Sequence, residues 1–180
     1  MKKVNELIKL PEVKTIFNLF NNNQGIYLVG GCIRDALSGK DVTDIDFAVD
    51  IDPEEVIKIL TNNNIKFYDI GINYGTVTAV IDSKNYEITS LREDIETDGR
   101  HAKVKYTSDI KADSLRRDFT INAIYANRDG ELFDFHNGIE DIENRKLKFI
   151  GSAIDRVKED YLRILRYFRF YADFSNFEID

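Results

Sequence analysis

The 180-residue chain has a single cysteine and two prolines, and no long run of apolar residues interrupts its mixed composition. The lone Cys32 excludes an internal disulfide framework and a multi-cysteine zinc site, so we expect a small packed residue there. A membrane span needs about 18 consecutive apolar residues, and the charged start of the chain lacks the apolar core of a cleavable signal. These absences predict a soluble, cytoplasmic globular protein without a membrane partner.

Negative charge dominates the chain but is unevenly distributed. The 25 Lys+Arg against 32 Asp+Glu give a net charge of -7, which argues against a general nucleic-acid binder. Residues 145–171 differ, with 8 basic side chains against 3 acidic ones. A basic segment on an acidic body is a candidate contact surface for phosphates, although composition alone favours a solvated helix.

Apolar spacing predicts a mixture of helices and strands. We expect a helix at the start of the chain interrupted at Pro11, a polar mobile loop at 92–113, and one basic helix at about 153–172 whose apolar stripe from Ile154 to Phe168 serves packing. A domain boundary is expected at the start of the basic part, which divides the chain into residues 1–145 and 146–180. The expected strands are Ile26–Val29, 44–51, and a hairpin of Thr76–Ile81 with 86–91.

Two glycines stand between a predicted strand and a predicted helix. At Gly30 and Gly31 the backbone can approach a phosphate, and Arg34 in the first helical turn can donate to the same oxygens. A bare Gly-Gly is usually only a tight turn, and the Gly-x-Gly-x-x-Gly pattern of dinucleotide-binding folds is absent.

Asp44 and Asp46 alternate onto one face of the predicted strand at 44–51. Two neighbouring carboxylates can share a divalent cation, and oxygen-only ligands point to Mg²⁺. Glu87 is the best candidate for a third carboxylate, with Asp35, Asp50 and Asp82 as competitors; Asp35 is better explained by a turn or an arginine partner. A solvated strand face is the simpler explanation of Asp-x-Asp taken alone.

The combined motifs resemble the class II tRNA nucleotidyltransferase and bacterial poly(A) polymerase family, within the polymerase-β-like nucleotidyltransferases. The resemblance implies an α+β head with a small five-stranded mixed sheet flanked by helices, followed by the first helix of an all-α neck. It also implies two Mg²⁺ ions and nucleotide transfer from an NTP to an RNA 3′-hydroxyl. The segments that carry it are LVGGCIRDALSGKDVTDID (28–46), YEITSLR (86–92), LRRDFTINA (115–123), DFHNG (134–138) and EDYLRILRYFRF (159–170).

The resemblance assigns roles to residues at matching positions. Asp44 and Asp46 match the metal ligands, with Glu87 as the third catalytic carboxylate. Positions that match nucleotide-binding residues of the family are Gly30, Gly31, Arg34, Arg117, Asn122, Asp160, Arg163, Arg166 and Arg169. A local salt-bridge cluster is the structural alternative for Arg116, Arg117 and Asp118.

The Glu-Asp-x-x-Arg segment suggests how a base is chosen. On a continuous helix Asp160 and Arg163 are neighbours that orient each other. A fixed carboxylate accepts from the amino group of cytosine or adenine and repels the carbonyl of uracil or guanine. Because each step of three residues drifts about −60° around a straight helix, Arg169 should lie about 180° from Asp160 and either touch phosphate or brace the helix.

The resemblance implies CCA addition to the tRNA 3′ end from CTP and ATP. Poly(A) polymerisation and CC-only or A-only addition are alternatives, as is a nucleotide-binding module with little or no turnover. The chain stops where family members continue into neck, body and tail. We therefore weigh an excised fragment, a short protein with a separate C-terminal RNA-binding portion, and a gene remnant.

Overall fold

The computed structural model describes residues 2–98, 101–173 and 178–179. Its helices are α1 (Lys2–Ile8), α2 (Pro11–Leu19), α3 (Gly31–Leu37), α4 (Pro53–Asn62), α5 (Ile110–Leu115), α6 (Gly138–Glu143), α7 (Ala153–Glu159) and α8 (Leu162–Asp173). Its strands are β1 (Ile26–Val29), β2 (Asp46–Val49), β3 (Lys66–Tyr68), β4 (Thr76–Ile81), β5 (Lys84–Ser90), β6 (Arg92–Asp98), β7 (His101–Tyr106), β8 (Ile124–Ala126), β9 (Leu132–Asp134), β10 (Lys146–Leu147) and β11 (Glu178–Ile179).

A mixed sheet with the order β3-β4-β5-β2-β1-β8-β9 forms the centre of the fold. The pair β2–β5 is parallel, and the other neighbouring pairs of this sheet are antiparallel. The mixed α+β fold agrees with the sequence analysis, but the described sheet has seven strands where five were expected. The short strands β3 and β9 add to its edges.

Apolar side chains alternate along the strands, and the face to which they point is the one that the helices cover. Phe47 and Val49 point into the main core, where they meet apolar side chains of α1 to α4. Helix α2 contributes Phe17, whose ring stands edge-on to Phe47 at a centroid distance of 5.6 Å. The opposite face carries a smaller cluster that includes Ala48 and Tyr125.

The polar segment 92–113, expected as a mobile loop, forms regular secondary structure over its described residues, 92–98 and 101–113. Strands β6 and β7 pair as an antiparallel hairpin, and α5 follows. Backbone pairing needs no apolar periodicity, and opposite charges lie across from each other, as at Glu93 and Lys105. Gly99 and Arg100 lie outside the described residues.

The expected single basic helix is two helices. Asp160 between them is extended, with φ −152° and ψ 108°. The expectation that the apolar stripe serves packing is also wrong for the described chain, since Ile154 and Phe168 are exposed. The break turns α8 so that Phe170 packs instead, its ring edge-on to Phe119 at 5.5 Å.

Strand β10 joins the beginning of the basic part to the main core. Leu147 is fully buried there, and Phe149 bridges to Phe119. The division at residue 145 stays a prediction. Over the described residues, no helix combines the length and apolar character that crossing a bilayer requires.

Candidate active site

A polar cavity of about 460 Å³ lies where β1 ends and β2 begins. Of the residues that the sequence analysis assigned to the site, it is lined by Gly30, Gly31, Arg34, Asp44, Asp46, Arg117, Asn122, Asp160, Arg163, Arg166 and Arg169. Glu87 is the assigned residue outside this lining. The fold therefore brings together side chains that are more than 100 positions apart in the chain.

The glycine pair makes the turn from β1 into α3. Gly30 has φ +76° and ψ −130°, a conformation open essentially to glycine alone. A side chain there would also meet Arg117 Nη1 at 3.8 Å. Gly31 is the first helical residue, and a Cβ there would lie 3.6 Å from the Arg34 guanidinium. Both are ordinary contact distances, so it is the backbone conformation of Gly30 that requires glycine.

Arg34 links three parts of the cavity wall. Its Nε and Nη2 donate to the two carboxylate oxygens of Asp35, both at 2.9 Å, and its Nη1 donates to Asn122 Oδ1 at 2.7 Å. The guanidinium also lies 4.8 Å from the ring centroid of Phe170 on α8. The arginine partner predicted for Asp35 is confirmed, and Arg34 has a fixed orientation.

The three candidate carboxylates lie on neighbouring elements, and the position of Asp44 differs from the prediction. β2 begins at Asp46, so Asp44 lies in the exposed segment before the strand and not on the strand. Asp46 is the register partner of Glu87 on β5. Burial raises the pKa of Asp46 to about 6, helped by the negative charges of Glu87 and Asp44 and opposed by Arg117.

These three oxygen donors fit a hard divalent cation, which prefers carboxylate ligands and would neutralise the charges of Glu87 and Asp44 that add to the effect of burial on the pKa of Asp46. Within the described ranges, however, no three acidic, histidine or cysteine side chains are already drawn together as a complete metal cluster.

Arg116 and Arg117 are held by a buried acid that the sequence analysis missed. Asp113 on α5 receives Arg116 Nε at 2.8 Å, Arg117 Nη2 at 3.0 Å and the hydroxyl of Tyr125 at 2.7 Å. Burial opposes the charge of Asp113, but Arg117 and Arg116 outweigh it and lower its pKa to about 2. The two arginines therefore do form a salt-bridge cluster, but with Asp113 and not with Asp118 as the alternative had it, and both also line the cavity.

Asp118 connects the same segment to α8. Its Oδ2 accepts from Arg166 Nε at 2.6 Å, and its Oδ1 accepts from Asn122 Nδ2 at 3.1 Å. With the Arg34–Asn122 bond, this makes a continuous chain of hydrogen bonds from α3 to α8. The RRDF motif was the signal for Asp118, which the sequence analysis noted only as a possible salt-bridge partner.

The break before α8 changes the predicted relationship between Asp160 and Arg163. Asp160 Oδ1 accepts from the backbone N–H of Leu162 at 3.0 Å, at the start of α8. Arg163 donates to Glu159 at 2.8 Å and to the carbonyl oxygen of Arg116 at 3.0 Å. The expected drift of Arg169 away from Asp160 does not occur, because the two are not on one straight helix and both line the cavity.

Cys32 is the packed residue that was expected. It is 1% exposed, and burial raises the pKa of its thiol to about 12. A protonated thiol in the core is no nucleophile.

Comparison with known proteins places the chain in one class, since the poly A polymerase head domain matches residues 26–148. The chain belongs to this family, as the resemblance in its sequence implied. It is 47% identical over 92% of its length to CCA tRNA nucleotidyltransferase 1, mitochondrial, of Danio rerio, and 40% identical over 86% to the CCA-adding enzyme of Streptococcus gordonii. It spans 41% and 38% of these relatives, about two fifths of their length.

Solved structures agree with this assignment. The Bacillus stearothermophilus CCA-adding enzyme in complex with CTP matches 90% of the chain with a TM-score of 0.78 and 32% identity, over 39% of its own length. A tRNA nucleotidyltransferase complexed with a primer tRNA and an incoming ATP analog matches 83% of the chain with a TM-score of 0.66 and 29% identity, over 42% of its own length.

Proposed function

We propose that this chain is the nucleotide-transferring head of a CCA-adding enzyme, which transfers CMP and AMP from CTP and ATP to the tRNA 3′ end and releases pyrophosphate. One observation carries the proposal: the cavity joins the Gly30–Gly31 turn, the carboxylate of Asp46 and the arginines of α8 in one polar space. Similarity to CCA-adding enzymes supports the choice of substrates.

Mg²⁺ is the proposed cofactor, held by Asp44 and Asp46 with Glu87 beside them. When bound, the ion would lower the pKa of the attacking hydroxyl and neutralise charge on the leaving pyrophosphate. The chain's own groups position the nucleotide. Arg34 and Arg117 supply fixed positive charge at the glycine turn, where triphosphate oxygens would bind. Asn122 orients Arg34 and lies at the sugar end of the site.

Asp160 and Arg163 are the proposed base-selecting pair, with Arg166 and Arg169 contributing charge along the same wall. Asp160 is already fixed by the N–H of Leu162, and Arg163 by Glu159 and the Arg116 carbonyl. Such fixed groups can choose a base without a nucleic-acid template, because a misplaced donor or acceptor costs about 1–3 kcal/mol.

The same cavity suits the alternatives of poly(A) polymerisation, CC-only or A-only addition, and a nucleotide-binding module with little turnover. We propose residues 1–145 as the head and 146–180 as the start of a helical neck. A separate RNA-binding portion would supply further tRNA contacts, since few basic groups remain in this chain to displace counterions from RNA. A cytoplasmic location stays a prediction.

Incubation with tRNAs that lack the last one, two or three nucleotides, each with a single NTP, tests the proposal. CCA addition predicts CMP incorporation into the two shorter acceptors and one AMP into the longest. Unlimited AMP addition would indicate poly(A) polymerisation instead. Nucleotide binding without extension of any acceptor would favour the binding module.

A further inference from the structure

The face of the sheet opposite the main core carries a row of side chains that starts at the carboxylates of Asp46 and Glu87 and runs toward the edge strand β3. Asp46 is in register with Glu87, Glu87 with Thr78, and Thr78 with Tyr68 on the edge strand. Register partners point to the same face of a sheet. The hydrogen bond of 2.9 Å between the hydroxyls of the neighbouring register pair Thr76 and Thr89 supports this arrangement.

The outer part of this row is open. Glu87 is exposed, Thr78 is half-buried and Tyr68 is 43% exposed. The residues that flank Thr78 and Glu87 on their strands are buried in the main core; they are Val77, Ala79, Tyr86 and Ile88. Lys66, two residues before Tyr68 on the same strand face, holds its Nζ 5.2 Å from the Tyr68 ring centroid. The row thus ends in an exposed aromatic ring with a positive charge beside it.

We propose that this row, Asp46–Glu87–Thr78–Tyr68, is the binding surface for the unpaired 3′ end of the RNA acceptor, and that Tyr68 stacks against one of its bases. The inference rests on the proposed function and concerns the acceptor, not the NTP.

The order of strands gives the direction of approach. The glycine turn and Arg34, where the pyrophosphate would leave, follow β1 on one side of β2. In an in-line displacement the attacking hydroxyl comes from the side opposite the leaving group. On the side of β2 away from β1, the sheet continues with β5, β4 and β3. The acceptor strand would therefore cross the sheet along the row toward Asp46.

The dimensions and chemistry of the row suit single-stranded RNA. Neighbouring strands are about 4.8 Å apart, so the backbone at Tyr68 lies about 14 Å from that at Asp46, within reach of a few nucleotides. Exposed aromatic rings stack on unpaired bases of any sequence, and hydroxyls such as that of Thr78 can donate to phosphate or ribose oxygens. Lys66 supplies the cation near the backbone.

The first experiment uses the absence of tryptophan from the chain. In the Tyr68→Trp variant the single indole should lose fluorescence when an RNA with an unpaired 3′ end is added, but not with an RNA whose last nucleotides are abasic. The matched control is Phe135→Trp, a site of similar exposure, 38%, next to β9 at the opposite edge of the sheet. Its fluorescence should not change.

The second experiment measures kinetics on the full chain. Tyr68→Ala should raise the KM for the acceptor about tenfold and leave kcat and the KM for the NTP within twofold, in line with the loss of one stacked base. Tyr68→Phe keeps the ring and should restore the acceptor KM, while Phe135→Ala should leave it unchanged.

An unchanged Tyr68→Trp signal with RNA that the protein extends would overturn the inference and leave the proposed function intact. A raised NTP KM in Tyr68→Ala, or altered self-association with an unchanged acceptor KM, would also overturn it, the latter in favour of a protein partner. If the Tyr68→Trp variant loses fluorescence with RNA but the protein extends no acceptor, the result would support the acceptor-binding row and count against the proposed transferase function.

Discussion

Asp46 and Glu87 lie side by side, as register partners on the parallel strands β2 and β5. Two carboxylates at this spacing repel, and the pKa of Asp46 is raised to about 6 chiefly because the group is buried, with Glu87 as the next cause. The site therefore stores unfavourable electrostatic energy that a bound cation would relieve.

Asp46→Asn should stabilise the fold while abolishing nucleotide transfer. Removing the buried charge is expected to raise the free energy of unfolding at pH 7 by on the order of 1–2 kcal/mol in urea denaturation without divalent cations. Asp44→Asn, at an exposed position, should change it much less. Mg²⁺ should raise the melting temperature of the unsubstituted protein more than that of Asp46→Asn. A destabilised Asp46→Asn would contradict this account.

Asp113 should make the protein sensitive to acid. Its pKa is about 2 in the folded state against an ordinary value of 3.8, so its charge stabilises the fold above about pH 4. That stabilisation, about 2 kcal/mol, should be lost as the pH falls from 4 to 2. Urea denaturation at a series of pH values measures the slope.

Asp113→Asn is the matched test of that slope. The variant should lose about 3 kcal/mol at pH 7, since Arg116 and Arg117 would keep their charges beside a neutral partner. Between pH 4 and 2 its stability should fall less steeply than that of the unsubstituted protein. Equal slopes would assign the acid sensitivity to other carboxylates.

Phe17 lies outside the region matched by the family profile and yet is part of the main core. It is 3% exposed and packs edge-on against Phe47. Phe17→Ala should lower the free energy of unfolding by about 3–5 kcal/mol through the cavity it leaves. Thr15→Ala, at an exposed position of the same helix, should stay within about 0.5 kcal/mol. A small effect of Phe17→Ala would mean that α2 contributes little to the fold.

The two glycines of the turn should respond differently to alanine. Gly30→Ala places a side chain at φ +76° and should cost about 1–3 kcal/mol in thermal or chemical unfolding. Gly31 is helical and its Cβ has ordinary contact distance to Arg34, so Gly31→Ala should not destabilise the fold. A comparable loss in both variants would show that space, not backbone conformation, constrains the turn.

Asp160→Asn should separate base selection from structure. Asparagine can still accept from the N–H of Leu162 at the start of α8, but it presents a donor where the carboxylate presented only acceptors. Incorporation of UTP and GTP relative to CTP and ATP should therefore rise, with the free energy of unfolding changed by less than about 1 kcal/mol. Single-NTP assays with all four nucleotides measure the ratio. Reduced activity with unchanged selectivity would assign Asp160 another role.

The motifs determined the family, the mixed α+β class and most of the cavity lining from the sequence alone. They succeeded because glycines, carboxylates and arginines with specific spacing are required by chemistry, and local periodicity identifies short buried strands such as β1. The β6–β7 hairpin was missed because β6 (REDIETD) has a single apolar residue and shows no strand period, although β7 (HAKVKY) does alternate polar and apolar residues.

Only the tertiary structure decided how the separate motifs meet. Asp118 accepts hydrogen bonds from Arg166, 48 positions later in the chain, and from Asn122, 4 positions later. The break at Asp160 places Arg169 at the same cavity. Register between strands likewise aligns Tyr68 with Asp46, which no local pattern encodes. A sequence specifies which groups a site contains through local chemistry, whereas their distances depend on the packing of helices and strands that are remote along the chain.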